Sequence, residues 1–196
     1  HAYTPIQLPG SLPDDGVGPD GRPIKLDGNE NVYGCSPRVR GALSQYDSFH
    51  IYPDPEQRRL CAALSDYVSV GEEHILSGAG SDELIDLLLR LVLEPMDQVV
   101  TCVPTFGMYG FSAHVAGGKI VEVRRRNDYQ IDTSLVAQVG SGAKAIFIAT
   151  PNNPTGTLTP RRDILSLLKT QALVVVDEAY YEFSGETAVD LVPAHN

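Results

Sequence analysis

Residues 173–180 read L-V-V-V-D-E-A-Y, a short β-branched run that ends on two acids. A run without polar alternation is typical of a strand that is covered on both faces, as in a parallel sheet. An acid at the end of such a strand needs a cationic or hydrogen-bonding partner. The stretch therefore predicts a buried strand with a candidate site at Asp177, and capping of nearby backbone is the alternative role for this carboxylate.

Similar runs alternate with segments of helical spacing along the chain. Strands are predicted at residues 74–77, 98–103, 119–123, 144–150 and 173–177. Helices are predicted at residues 82–93, 105–116, 133–139 and 160–169, and one more is predicted to begin with Asp54 as its cap and to end at Gly71. This alternation predicts an α/β fold, a mostly parallel sheet with helices on both faces.

The charge and the scattered cysteines limit the possible partners. A formal net charge of -10 disfavours nucleic acid and anionic membranes, and the run of arginines at 124–126 is predicted to be a solvated strand end. Cys35, Cys61 and Cys102 lie far apart, so neither a disulfide framework nor a thiolate metal site is expected, and the dispersed histidines predict no metal. With no apolar stretch of about 18 residues, we expect a soluble protein.

The opening stretch through Gly21 is rich in proline and glycine, and it predicts an irregular arm. We expect two regions: residues 1–45, which contain this N-terminal arm, and residues 46–196, a larger domain with the alternating strands and helices.

Two further loops stand where predicted strands lead into helices, the place where ligands gather in open α/β sheets. S-G-A-G-S-D-E at 77–83 has the small residues and the helix start that suit an anion, although such a turn is also common as plain structure. P-N-N-P-T-G at 151–156 is either a rigid turn or a means of presenting Asn153 as a neutral donor and acceptor.

Taken together and in this order, five motifs resemble the pyridoxal-phosphate-dependent aminotransferases of fold type I. The motifs are Y-P at 52–53, G-A-G-S-D-E at 78–83, P-T-F at 104–106, N-P-T-G at 153–156 and D-E-A-Y at 177–180. Within that family, L-D-G-N-E-N at 26–31 and P-T-F-G-M-Y at 104–109 are similar to the histidinol-phosphate aminotransferases.

The resemblance implies roles around the ring of pyridoxal 5'-phosphate. Asp177 would pair with the protonated pyridine nitrogen, so that the ring can absorb electrons. Asn153 and Tyr180 would hydrogen-bond the phenolic oxygen, and Asp177 and Tyr180 are the catalytic residues expected in this chain. Phe106 would stack on the ring face, with a place in the core as its alternative.

The resemblance also implies roles for the phosphate and the substrate. Gly80, Ser81 and Asp82 would cradle the cofactor phosphate, and Tyr52 would reach the same phosphate from the other subunit of a homodimer. Asn29 would line the substrate side.

The lysine that forms a Schiff base with the cofactor in this family matches no residue here, because Lys25, Lys119, Lys144 and Lys169 stand in the wrong contexts. The sequence therefore predicts a segment of a longer subunit, with an incomplete large domain.

The implied function is transamination between L-histidinol phosphate and 2-oxoglutarate, in the cytoplasm or in a plant plastid. An aminotransferase for another amino acid, such as an aromatic one, and a decarboxylase of an amino-acid phosphate are alternatives within the fold. A non-catalytic relative without the lysine is the alternative from another class, and a nucleotide-binding domain is more distant.

Overall fold

The computed structural model describes residues 28–31 and 33–195. The chain falls into two compact units that meet in sequence between Pro55 and Glu56, and each is described by itself. The predicted arm through Gly21 lies outside the described residues, and the predicted domain boundary at residue 45 stays a prediction.

The described part of the first unit contains one helix, α1 (Pro37–Ser44). Its start follows the usual rules, because the Ser36 hydroxyl accepts a hydrogen bond from the amide of Arg38 and proline occupies the first turn.

The second unit is built on four parallel strands in the order β2-β1-β3-β4. Its elements in chain order are α2 (Arg58–Val68), α3 (Ser81–Val92), β1 (Gln98–Val103), α4 (Met108–Val115), β2 (Lys119–Arg124), α5 (Thr133–Gly140), β3 (Ala145–Ala149), α6 (Arg161–Leu167), β4 (Leu173–Asp177) and α7 (Tyr181–Ser184). Short 3-10 helices lie at Glu72–His74 and Val189–Ala194.

Helices cover both faces of this sheet, as predicted. One core joins Ile85 of α3 and Tyr109 of α4 to Phe147 of β3. The other joins Val136 of α5 and Leu167 of α6 to the alternate residues of the same strands. Because successive side chains of a strand point to opposite faces, the unbroken apolar run of β3 serves both cores. The α/β fold is therefore confirmed.

Two predicted elements differ from the structure. The predicted strand at 74–77 is wrong: His74 ends a 3-10 helix, and residues 75–77 form no strand. A β-strand exists only when a neighbouring strand satisfies its backbone groups, and none of the four described strands pairs with this segment. Helix α2 begins at Arg58, and Asp54 does not cap it, because Gln57 has a left-handed backbone (φ +50°) that interrupts a helix. It ends at Val68, before Gly71.

No helix in the described part of the chain combines the length and the apolar character that a membrane span requires.

Candidate active site

The loops that follow β1, β3 and β4 meet at the carboxyl edge of the sheet. The pairing of β3 with β4 brings Ala149 beside Asp177, and the amide of Thr150 donates to the carbonyl oxygen of Asp177 at 2.9 Å. Two predicted loops, 151–156 and 177–180, therefore come together at this edge with residues 104–107, the loop that follows β1.

Asp177, the last residue of β4, is held through both carboxylate oxygens. Oδ1 accepts a hydrogen bond from the amide of Ala179 at 3.0 Å. Oδ2 accepts one from the hydroxyl of Tyr109 at 2.6 Å. The predicted alternative of backbone capping accounts for one oxygen only, and a buried tyrosine on another element holds the second. The sequence gives no warning of this second contact, because Tyr109 has the pattern of an ordinary core residue in a helix.

Tyr109 itself is packed rigidly. Its side chain is 0% exposed, and its ring stacks on Phe147 with centroids 4.9 Å apart. Burial raises the pKa of its hydroxyl far above the usual range, and the negative charges of Asp177 and Asp82 add to this effect. The hydroxyl therefore remains a proton donor to Asp177 at every physiological pH.

Phe106 lies one turn before Tyr109 and is only partly buried. Its ring meets that of Tyr109 edge to face, with centroids 5.6 Å apart and planes at 81°. Its ring packs partly against the core and is partly exposed, and its stacking on a cofactor ring stays a prediction.

The two asparagines of the P-N-N-P-T-G loop have different surroundings. The Asn153 side chain makes no hydrogen bond within the described residues, and it is partly exposed. Asn152 is 2% exposed and uses its whole amide. Its Oδ1 accepts from Thr105 Oγ1 at 2.8 Å and from Arg125 Nη2 at 2.9 Å, while its Nδ2 donates to Pro104 O at 3.1 Å and to Thr155 Oγ1 at 2.7 Å.

The prediction of a solvated arginine run is wrong for its middle residue. Arg124 and Arg126 are exposed, but Arg125 is 8% exposed, because it continues the alternation of β2 and faces the same side as the buried Val123. Its guanidinium donates to the carbonyl of Cys102 at 2.9 Å and to that of Tyr129 at 3.1 Å, besides Asn152. Burial lowers the pKa of Arg125. A basic run alone does not reveal which of its members is buried.

The loop before α3 has the geometry of an anion site. Gly80 has φ +87° and ψ 174°, a conformation open only to glycine, and no side chain caps the helix. The amides of the first helical turn, which begins with Ser81 and Asp82, therefore have no partner within the helix. Glu83 turns back and accepts a hydrogen bond from the amide of Ala79 at 2.6 Å, which fixes the loop.

The remaining predicted residues are placed as follows. Tyr180 directly precedes α7, and its ring lies 6.2 Å from that of Phe183. Tyr52 and Asn29 belong to the first unit, where the Tyr52 side chain is 97% exposed and Asn29 is exposed with φ +49°. Within residues 28–31 and 33–195, no cluster of three or more histidine, cysteine, aspartate or glutamate residues could hold a metal ion.

The parallel sheet is covered by helices on both faces and carries Asp177 at its carboxyl edge. The chain is therefore an α/β protein with a candidate site at that edge. Residues 22–195 match the family model described as aminotransferase class I and II, and the chain belongs to this family.

Three similar curated proteins are named as histidinol-phosphate aminotransferases. A histidinol-phosphate aminotransferase of Dehalococcoides mccartyi (strain ATCC BAA-2100) is 50% identical over 85% of this chain and 47% of its own length. That of Roseiflexus castenholzii is 48% identical over 97% of this chain and 53% of its own length. A chloroplastic histidinol-phosphate aminotransferase of Nicotiana tabacum is 45% identical over 88% of this chain and 42% of its own. The chain thus spans about half the length of the curated relatives it matches.

A solved structure agrees with these relatives. The histidinol-phosphate aminotransferase of Sinorhizobium meliloti in complex with pyridoxal-5'-phosphate superimposes with a TM-score of 0.73 and 31% identity, over 79% of this chain and 44% of that one.

Proposed function

We propose that the whole protein is a pyridoxal-phosphate-dependent aminotransferase that moves an amino group between L-histidinol phosphate and 2-oxoglutarate, a step of histidine biosynthesis. The observation that carries the proposal is the Asp177 carboxylate, which Tyr109 and the Ala179 amide hold in one orientation at the carboxyl edge of the sheet. Membership of the aminotransferase family supports it, and so does the shared name of relatives about half identical to this chain.

The residues at this edge fit the ring of the cofactor. Each Asp177 oxygen accepts one of the hydrogen bonds described above and has lone-pair capacity for another, so the carboxylate can also accept the pyridine N–H. Asn153 has an uncommitted amide for the phenolic oxygen, to which Tyr180 also donates, and Phe106 offers its open ring face. When bound, pyridoxal phosphate supplies an electron sink for the carbon that loses its proton. Asp177 keeps the ring nitrogen protonated by its opposite charge.

The start of α3 fits the phosphate. The amides of the first helical turn point out of the helix, and the macrodipole adds partial positive charge there. Gly80 supplies the turn that a side-chain-bearing residue resists, and Ser81 and Asp82 follow as the first two helical residues. These three residues would bind the phosphate and so fix the position of the cofactor at this edge of the sheet.

The substrate side and the subunit arrangement are part of the same proposal. Asn29 lines the space for small amino-acid and keto-acid substrates. Tyr52, with its exposed ring, reaches the cofactor phosphate of the other subunit in a homodimer. The base that would move the substrate proton is the family's Schiff-base lysine, which no lysine of this sequence matches. We place the protein in the cytoplasm, or in the plastid if the source is a plant, and expect neither nucleic acid nor membrane as a partner.

The test uses the full-length protein. Its absorption spectrum is recorded with pyridoxal phosphate before and after borohydride, and turnover is compared for histidinol phosphate, histidinol and an aromatic amino acid, with 2-oxoglutarate as acceptor. We expect a reducible cofactor band. We also expect kcat/KM to fall by orders of magnitude without the substrate phosphate, because a site built for a polar group rejects an analogue that lacks it. A protein without a cofactor band, or one that prefers the aromatic substrate, contradicts the proposal.

A further inference from the structure

Three chain segments that leave the sheet are tied together by one buried polar cluster. Arg125, just after β2, bonds to the carbonyl of Cys102 in β1 and to the side chain of Asn152 after β3. Asn152 in turn bonds to Pro104 and Thr105 in the loop after β1. The cluster therefore bridges the carboxyl ends of three neighbouring strands.

We propose that Arg125 and Asn152 are positioning residues that fix Phe106 and Asn153 for the cofactor ring. The inference rests on the proposed function, since Phe106 and Asn153 are the residues proposed to contact the cofactor ring. Neither Arg125 nor Asn152 needs to touch the cofactor. Arg125 bonds to Asn152, which directly precedes Asn153. Asn152 bonds to Thr105, which directly precedes Phe106.

The hydrogen bonds of Asn152 leave its amide a single orientation. The oxygen accepts from two donors, and the nitrogen donates to two acceptors. In a flipped amide the nitrogen would face the two donors and the oxygen would face the two acceptors, so the hydrogen bonds would be lost. Its backbone also takes part, because its amide donates to Thr157 at 2.9 Å and its carbonyl accepts from Gly156 at 2.7 Å. Asn153 thus extends from a fully anchored neighbour.

The charged guanidinium of Arg125 holds neutral oxygen acceptors in place. Within the described residues, no carboxylate lies within ion-pair distance of this guanidinium, and its partners are two carbonyls and one amide oxygen. A buried charge is tolerated when such dipoles are held in place around it, and it holds them in return. A cavity of about 600 Å³, lined by Val103, Pro104 and Arg125 among others, adjoins the guanidinium. If the Arg125 side chain were truncated, water would take its place and the loops at 104–107 and 151–156 would lose their shared anchor.

The test compares full-length variants by a property that depends on Asn153. A hydrogen bond to the phenolic oxygen changes the pH midpoint of the cofactor's absorption band, so Asn153→Ala defines a direction of shift. Arg125→Met should shift the midpoint in that direction and weaken cofactor binding about tenfold, as expected for coupled members of one network. The double variant Arg125→Met/Asn153→Ala should shift the midpoint no further than Asn153→Ala alone.

The matched control is Arg126→Met. The side chain of this neighbouring arginine donates to the carbonyl of Ile131 at 2.7 Å, away from the loops at 104–107 and 151–156, so its variant should keep the wild-type midpoint. If Arg125→Met does not fold, Thr105→Val replaces it, because it removes one hydroxyl donor and preserves shape. Thr105→Val should give a smaller shift in the same direction.

The outcomes separate the two proposals. A wild-type protein without a cofactor band ends the proposed function and this inference with it. A normal wild type, combined with an Arg125→Met or Thr105→Val variant that melts earlier but keeps its pH midpoint and cofactor affinity, overturns the positioning role alone.

Discussion

The hydroxyl of Tyr109 and Oδ2 of Asp177 lie 2.6 Å apart, although 68 residues separate them in sequence. The bond joins α4, which follows β1, to the end of β4, and the ring of Tyr109 passes over Phe147 of the intervening strand β3. The orientation of the Asp177 carboxylate thus depends on how α4 packs against β3, the strand next to β4. We therefore expect changes to this contact to lower turnover more than they lower cofactor affinity.

Replacement of Asp177 by alanine should reduce turnover while leaving the fold and part of the cofactor binding intact. A barrier increase of about 4 to 6 kcal/mol corresponds to a fall in kcat of roughly a thousand-fold to ten-thousand-fold. Steady-state kinetics of the purified variant measure this fall. Glu178→Gln is the matched control: both Glu178 oxygens bond to residues 187–188, so its loss should lower stability with little change in kcat. Near-normal turnover in a folded Asp177→Ala enzyme would reduce Asp177 to a backbone cap.

Tyr109→Phe should change how stability depends on alkaline pH. The folded-state pKa of Tyr109 is raised above its ordinary value of 10.0, chiefly by burial. Above pH 10 the unfolded tyrosine loses its proton while the folded one keeps it. The stabilisation is therefore complete below pH 10 and declines as the pH rises, by about 1.4 kcal/mol per pH unit. Urea unfolding between pH 8 and pH 11 should show that the wild type loses stability more steeply than the variant. Parallel curves would show that the hydroxyl titrates normally.

Gly80→Ala should weaken the binding of the cofactor phosphate. No atom lies where the added Cβ would stand, so the effect comes from the backbone, whose φ of +87° strains any other residue by about 1 to 3 kcal/mol. Relief of that strain moves the amides at the start of α3. Titration with pyridoxal phosphate measures the affinity, and Gly142→Ala is the control, because that glycine also has open space but no left-handed backbone. Equal affinities for the two variants would contradict a phosphate role for this loop.

Tyr52 offers a test of sites shared between subunits. If the exposed Tyr52 ring serves the partner's phosphate, a Tyr52→Ala subunit and an Asp177→Ala subunit carry complementary defects. Mixed heterodimers would then contain one site with both residues intact, and they should recover up to about half of the activity per dimer, since one site of two is restored. Tagged heterodimers that stay as inactive as either parent would place Tyr52 outside the active site.

Much of the fold could be predicted because its elements are local in origin. The apolar runs of β1 to β4 and the helical spacing between them are readable without knowledge of contacts. The strand predicted at 74–77 was wrong, because whether an extended run becomes a strand depends on a neighbour that comes from elsewhere in the chain.

The candidate site was predictable where motifs mark it and hidden where packing builds it. Asp177 and Gly80 belong to recognisable sequence patterns, and the structure places each where its pattern implies, at the end of β4 and at the start of α3. Tyr109 and Arg125 came to light only through tertiary contacts, because nothing in a tyrosine on a helix or an arginine in a basic run indicates its distant partner.

Asn152 and Asn153 are identical neighbours with opposite surroundings, one saturated with hydrogen bonds and the other without any in the described chain. In a library that samples every substitution at both positions, changes at 152 would be lost as poorly expressed or aggregated protein. Changes at 153 would accumulate as abundant protein without activity. A screen for protein yield would therefore reject changes at 152, and a screen for growth that depends on formation of the product would reject changes at 153.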